Sequence, residues 1–367
     1  MIQFIKYSNK LSQVTVNKLY SWNIKIWNTL LSQVNSLPHA MLFLGPAGTG
    51  KGQFAEYLAA RLLCESAQRE QLACGKCEGC HLLATGNHPD IRLIALEDET
   101  DEQSDDDTPS KTASKSKKKP PTPTTQIKIG QIRELEDFVF VGSHRQGRRV
   151  VIIDPADAMN IAATNALLKI LEEPPASVCF ILVSSNSKRL LPTVRSRCRQ
   201  MVFGIPEVTI ARDWLKSEGV KNPENVLSLA GGAPPRALAI HQEGTVELLD
   251  DILKPLHRQP LELINLAAHW DGLRKKYPAF LLEHLVDALQ KWVYDLTRVR
   301  SGSSPRYLLG LQKELVIAAP KTSVQRLNRA YADLLRIRAT VRHPLNELLF
   351  LEDLAARCAI ALSPTKS

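Results

Sequence analysis

At 367 residues, with 44% hydrophobic residues and a formal net charge of +9, the chain has the size and composition of a globular protein of two or three domains. These values exclude extended disorder, and no apolar run reaches the roughly 20 residues of a membrane helix. The N-terminal MIQFIKYSNKLSQ has no apolar core of signal-peptide length, so a cytoplasmic address is expected, and the positive charge permits nucleic-acid contact without establishing it.

Residues 1–18 lack periodicity and are read as an N-terminal extension without an assigned role. The first predicted helix runs from Tyr20 to about Val34. Ala40–Leu44 is a short apolar run, read as a buried strand, followed by a glycine-rich loop and a helix from about Lys51 to Leu63. Ile91–Leu96 is a second strand. Residues 97–125 then change character: eight acidic residues between Glu97 and Asp107 give way to a Ser/Lys/Pro/Thr tract. Such a segment cannot bury enough apolar surface to offset its ordering entropy, so a disordered insertion is expected.

Order resumes with a helix around Ile132–Val139. Val150–Ile153 is a β-branched run ending in Asp154, the signature of a fully buried strand. The helix Ala162–Leu171 carries Ala163, Ala166, Leu167, Ile170 and Leu171 on one face and is stopped by Pro174-Pro175. Cys179–Val183 is another buried strand. Strands alternating with helices predict an α/β domain with a parallel sheet. From Pro206 onward the pattern is helical, with a short unit over 206–245 and a longer one over 246–367.

Gly45-Pro46-Ala47-Gly48-Thr49-Gly50-Lys51 lies between a predicted strand and a predicted helix. Backbone N–H groups of such a loop, turned by Gly45, Gly48 and Gly50, converge on phosphate oxygens, and the lysine reaches the terminal phosphates. A working loop continues with Ser or Thr, whose hydroxyl ligates Mg²⁺; here the residue is Gly52. Asp154 stands where a metal-side carboxylate belongs. The next position, where a water-activating glutamate is needed, is Pro155, and Asp157 is an unconvincing substitute. Two catalytic elements are missing, so ATP hydrolysis is not expected, while phosphate binding through Lys51 stays open.

Of seven cysteines, four crowd together as Cys64-x9-Cys74-x2-Cys77-x2-Cys80; Cys179, Cys198 and Cys358 are scattered. Two C-x-x-C steps let thiolates converge on one ion, and four soft ligands favour tetrahedral Zn²⁺. No acid, base or open ligand position accompanies them, so a structural site over 64–81 is expected.

The phosphate loop, the cysteine insertion behind its helix, His88-Pro89-Asp90, the run from Thr164 through Glu172-Glu173-Pro174-Pro175, and Arg195-Ser196-Arg197-Cys198-Arg199 together resemble bacterial DNA polymerase III clamp-loader subunits of the AAA+ family. The resemblance is dense over about residues 20–240 and only architectural beyond. It implies an AAA+ P-loop core over 19–205, a small helical lid over 206–245 and an all-α collar domain over 246–367. It also implies gamma/tau and delta subunits as partners in a hetero-oligomer that loads a sliding clamp onto primed DNA, with no membrane. In this family the gamma/tau subunits keep the Ser/Thr and the glutamate. Gly52 and Pro155 point instead to the non-hydrolysing kind of subunit, whose Ser-Arg-Cys arginine, here Arg197, projects toward the ATP of a neighbour. Ser184 or Ser185 is placed as a polar sensor near the γ-phosphate, and Arg236, behind Pro235, falls one residue beyond the second sensor. Two rivals remain open: an ATP-hydrolysing subunit of the gamma/tau type, and a freestanding zinc-dependent nucleic-acid-binding module. The latter finds no basic stripe with interleaved aromatics, which form only 6% of the chain.

Overall fold

A computed structural model of the protein describes residues 19–66, 72–96, 126–140, 147–175, 177–257, 263–277, 280–341 and 346–362. The expected extension (1–18) and insertion (97–125) lie outside the described residues. The chain divides between Ile205 and Pro206 into two compact units.

The first unit is built on five parallel strands: β1 (Ala40–Leu44), β2 (Ile91–Ile94), β3 (Arg149–Ile153), β4 (Val178–Ser184) and β5 (Arg199–Val202). Their spatial order is β2-β3-β4-β1-β5. Leu42 of β1 pairs with Leu182 of β4 on one side and Gln200 of β5 on the other. β3 and β4 are buried along their whole length, as strands covered on both faces must be, which is why they read as unbroken apolar runs.

Successive residues point to opposite faces of the sheet, and each face has its own core. Phe43, Ile152 and Ile181 pack with Trp27, Phe54, Leu58 and Phe203. Their neighbours Leu42, Val151 and Phe180 pack with Ile132, Leu135, Leu167, Ile170 and Val194. Helices that contribute to these two cores are α1 (Ile24–Leu31), α2 (Lys51–Leu63) and α3 (Glu78–Ala84) on the first face, and α4 (Ile129–Phe140), α5 (Ile161–Glu172) and α6 (Pro192–Arg197) on the second. Asn160 caps α5 by accepting the Ala163 N–H at 2.7 Å, and Pro192 begins α6 at the first helical position, where its missing N–H costs nothing.

His88-Pro89-Asp90 serves this core. Asp90 and Arg149, each about 1% exposed, form an ion pair (Arg149 Nε–Asp90 Oδ1 3.4 Å) where β2 enters beside β3. The Arg149 guanidinium also donates to the Phe138 carbonyl and lies 4.7 Å from the centroid of the Phe138 ring. A buried charge survives only when paired and hydrogen-bonded, and this one ties β2, β3 and α4 together.

The second unit is helical: α7 (Val208–Ser217), α8 (Pro223–Leu229), α9 (Pro234–Gln242), α10 (Thr245–Leu253), α11 (Leu263–Lys276), α12 (Leu282–Arg300), α13 (Gln312–Ala318), α14 (Val324–Thr340) and α15 (Glu347–Leu362). One buried cluster runs from Ala211 to Leu362 and encloses Trp270 and Trp292. Buried Asp295 on α12 accepts the backbone N–H groups of Arg306, Tyr307 and Leu308 at 2.7–2.9 Å, fixing the turn that follows the helix. Among the described residues, no helix is long and apolar enough to cross a membrane.

Candidate functional site

The glycine-rich loop sits where β1 ends and α2 begins. Gly48 and Gly50 have φ of 77° and 90°, the left-handed region that L side chains avoid. Gly50 is also crowded, because a Cβ there would lie 2.6 Å from Cδ2 of Tyr20. The Tyr20 ring stacks on Trp22 at 4.7 Å, and the Trp22 indole N–H donates to the Thr49 carbonyl at 3.1 Å. The segment ahead of β1 is thus fastened over the loop. Nothing in the sequence pattern had indicated this brace.

Lys51 is 4% exposed and turned onto its own loop. Its Nζ donates to the carbonyls of Gly45 and Pro46, both at 2.7 Å, and approaches the Ser185 hydroxyl at 3.4 Å. Burial lowers its pKa, opposed by the negative charges of Asp154 and Asp157. The ammonium has three donors, and all three face protein oxygens. A phosphate entering this loop would have to win the lysine from two backbone carbonyls.

The Gly52 position faces Asp154. A Cβ on Gly52 would sit 2.5 Å from Asp154 Oδ2, so the carboxylate occupies the space that a serine or threonine side chain would need. Asp157 is engaged elsewhere, its Oδ1 accepting the Ser185 N–H at 3.0 Å. Of the two serines at the end of β4, Ser184 is the last residue of the strand, fully buried and accepting from the Asn186 N–H, while Ser185 just beyond it carries the hydroxyl nearer Lys51. Arg236 lies exposed on α9 in the second unit.

Arg197 ends α6. Its Nη2 pairs with Glu172 Oε1 at 2.6 Å, and its Nη1 donates to the Thr193 carbonyl at 3.1 Å. The arginine side chain keeps 34% of its surface exposed. Arg199 goes elsewhere, donating to Gln33 Oε1 at 2.8 Å, so the arginines of this stretch do not form one uniform patch.

The four clustered cysteines converge. Their Sγ atoms all lie within 4.8 Å of one another, with Cys64–Cys77 and Cys74–Cys80 each at 3.9 Å. Cys64 follows the last turn of α2, and Cys77 caps α3 by accepting the Cys80 N–H at 3.4 Å. The Lys76 and Cys77 N–H groups point at Cys74 Sγ and pull that thiol down to about 6. Burial pushes the Cys64 and Cys80 thiols up. Gly79 allows the close fit of α3 on α2, since a Cβ there would meet the Leu63 carbonyl oxygen at 2.8 Å. The group can hold a metal ion. It lies about 20 Å along α2 from the phosphate loop, at 1.5 Å per residue, so it does not contribute to that loop's chemistry.

A family model described as DNA polymerase III, delta subunit, matches residues 23–206. The chain is 32% identical to DNA polymerase III subunit delta' of Pseudomonas aeruginosa over 94% of its own length and 99% of that protein. It is 28% identical to DNA polymerase III subunit delta' of Escherichia coli, over 89% of this chain and 90% of that one. A solved DNA polymerase III, gamma subunit-related protein from Thermotoga maritima is 19% identical with a TM-score of 0.45, covering 91% of this chain and 99% of that one.

Proposed function

The chain belongs to the family of DNA polymerase III delta' subunits, and we propose that it acts in the clamp loader without hydrolysing ATP itself, completing the ATP site of a neighbouring gamma/tau subunit with Arg197. The observation that carries this reading is the Asp154 carboxylate packed against Gly52. Lys51 is bonded to its own loop carbonyls, and the Asp154 carboxylate fills the place of a metal-binding hydroxyl. Pro155 follows where a base is required, and proline has none to offer. The chain nonetheless keeps a partly exposed guanidinium at the end of α6. A fixed guanidinium neutralises charge that develops on a transferred phosphoryl group.

In this reading the residues over 206–245 form the lid and those over 246–367 the collar domain, which joins gamma/tau and delta in a cytoplasmic hetero-oligomer. Sliding clamp and primed DNA are engaged through that complex. The four cysteines hold one structural Zn²⁺. Zn–S bonds of about 2.3 Å place tetrahedral sulfurs roughly 3.8 Å apart, since a tetrahedron's edge is about 1.6 times its centre-to-vertex distance. The 3.9 Å pairs observed here fit that edge. The module is packed between α2 and α3 inside the α/β unit, which disfavours a freestanding nucleic-acid-binding role.

Gel filtration with purified gamma/tau and delta subunits tests the assignment: a stoichiometric complex is expected, and failure to assemble contradicts it. The isolated chain is expected to release no phosphate from ATP. Gly52→Ser is expected to leave turnover at zero, because the new side chain must displace the Asp154 carboxylate and Pro155 still provides no base. Phosphate release from the unmodified chain above that of its Lys51→Met variant would overturn the non-hydrolysing reading.

A further inference from the structure

We propose that Glu172, the first glutamate of the Glu-Glu-Pro-Pro run, is the positioning residue that holds Arg197 ready for the neighbouring subunit's nucleotide. This inference rests on the trans-acting role of Arg197 and adds a residue to it.

The two partners stand on different elements with a shared footing. Glu172 is the last residue of α5, and Arg197 is the last residue of α6. Ile170 and Leu171 of α5 are buried in the same core as Val194 of α6 and the following Cys198. Both side chains therefore project from fixed bases, and the ion pair closes a bridge between two helix ends. Pro174-Pro175 stops α5 at this point, so the glutamate falls at the end of the helix instead of inside it.

Two of the guanidinium's donors are engaged. Nη2 is taken by Glu172 and Nη1 by the Thr193 carbonyl. A guanidinium has five N–H donors, so three remain once these two bonds are made. An unsupported arginine on a surface samples many rotamers and gives up that side-chain entropy when it is fixed. Glu172 and the Thr193 carbonyl supply that fixing before the neighbour's phosphates arrive. Orientation of a charge-stabilising group in advance of reaction lowers the barrier without any new contact to the substrate.

Glu172 remains about half exposed, so the pair contributes little to the fold. The expected effect on the neighbour's ATP hydrolysis is correspondingly modest, roughly two- to fivefold in kcat, the size of an exposed ion pair. The reconstituted gamma/tau–delta–delta' complex provides the assay, read as kcat and KM for ATP with clamp and primed DNA present. Glu172→Ala should lower kcat with KM unchanged. Glu172→Gln, which keeps an acceptor oxygen for Nη2, should recover most of the loss. In an Arg197→Ala background, Glu172→Ala should have no further effect, because there is no guanidinium left to position.

The outcomes separate cleanly. If Arg197→Ala itself leaves hydrolysis unchanged, the trans-acting role fails, and this inference fails with it. If Arg197→Ala is impaired while Glu172→Ala matches the unmodified complex, only the positioning role is wrong. An equal Glu172→Ala defect in the Arg197→Ala background, or failure of Glu172→Gln to recover activity, also overturns it and assigns the glutamate to the packing of α5.

Discussion

Replacing Arg197 with alanine is expected to silence ATP hydrolysis at the one gamma/tau site that borders this subunit, while the complex still assembles and its other sites turn over. Arginines supplied to a neighbour's phosphoryl transfer are worth about 10³–10⁵ in rate in GTPases, so a loss of roughly a thousandfold at that site is the scale to look for. The subunit itself should barely notice. Arg197 is partly exposed and pairs with a half-exposed glutamate, so the stability cost is expected to stay below about 1 kcal/mol by chemical denaturation. Arg197→Lys should rescue poorly, because an ammonium cannot keep Glu172 and the Thr193 carbonyl engaged while offering planar donors outward. Arg195→Ala and Arg199→Ala control for a general loss of basic charge; Arg199 is directed at Gln33 and serves no shared geometry with Arg197. Equal defects in all three alanine variants would reduce Ser-Arg-Cys to a packing motif.

Removal of the metal should have the second-largest effect, and a local one. Elemental analysis of protein purified under reducing, chelator-free conditions is expected to give one zinc per chain. Structural zinc contributes about 10–16 kcal/mol of apparent folding free energy in small peptides, where it is nearly the whole core. Here the sheet has two cores of its own, one on each face, so Cys77→Ser or a strong chelator should release the described part of 64–81 without unfolding β1, β3 and β4. Hydrogen exchange reads this directly as lost protection confined to the end of α2 and to α3. Retention of zinc should fall as pH falls, because the ligands bind as thiolates and protons compete for them. Cys74, already pulled down to about 6, gives up its proton most readily, whereas desolvation holds the half-buried Cys64 and buried Cys80 thiols up, so a metal would have to displace their protons. Protein that contains no zinc, or that unfolds throughout when zinc is removed, would contradict this picture.

The parts of the fold legible in the sequence are those whose physics is local. β1 at Ala40–Leu44 and α2 at about Lys51–Leu63 were readable, because a glycine loop with a lysine separates an apolar run from an amphipathic one. β3 and β4 were readable as continuous apolar runs because both their faces are covered. β5 was not: it is an edge strand of sequence Arg-Gln-Met-Val, with Val202 73% exposed, and it offers neither an apolar run nor alternation. α3 and α6 are too short for a helical period to show, at seven and six residues. The predicted helix from Tyr20 to about Val34 is shorter than expected, with α1 spanning Ile24–Leu31, because Tyr20 and Trp22 are committed to the phosphate loop.

The candidate site divides in the same way. Gly52, Pro155 and the cysteine spacing stand in the sequence as local departures or local repeats. The Lys51 bonds to Gly45 and Pro46, the Asp154 carboxylate beside Gly52, and the bridge from Glu172 to Arg197 depend on where the chain returns to itself. Glu172 and Arg197 lie 25 residues apart, and neither motif containing them announces the other.

The most direct test contrasts the subunit's own loop with its neighbour's. Phosphate release is measured in the reconstituted complex carrying either Lys51→Met or Arg197→Ala in this subunit, with clamp and primed DNA present. A subunit that acts on its neighbour's ATP predicts near-normal hydrolysis with Lys51→Met and loss of one site with Arg197→Ala. Loss of hydrolysis with Lys51→Met alongside normal hydrolysis with Arg197→Ala would show that the chain uses its own nucleotide, and would contradict the proposed role.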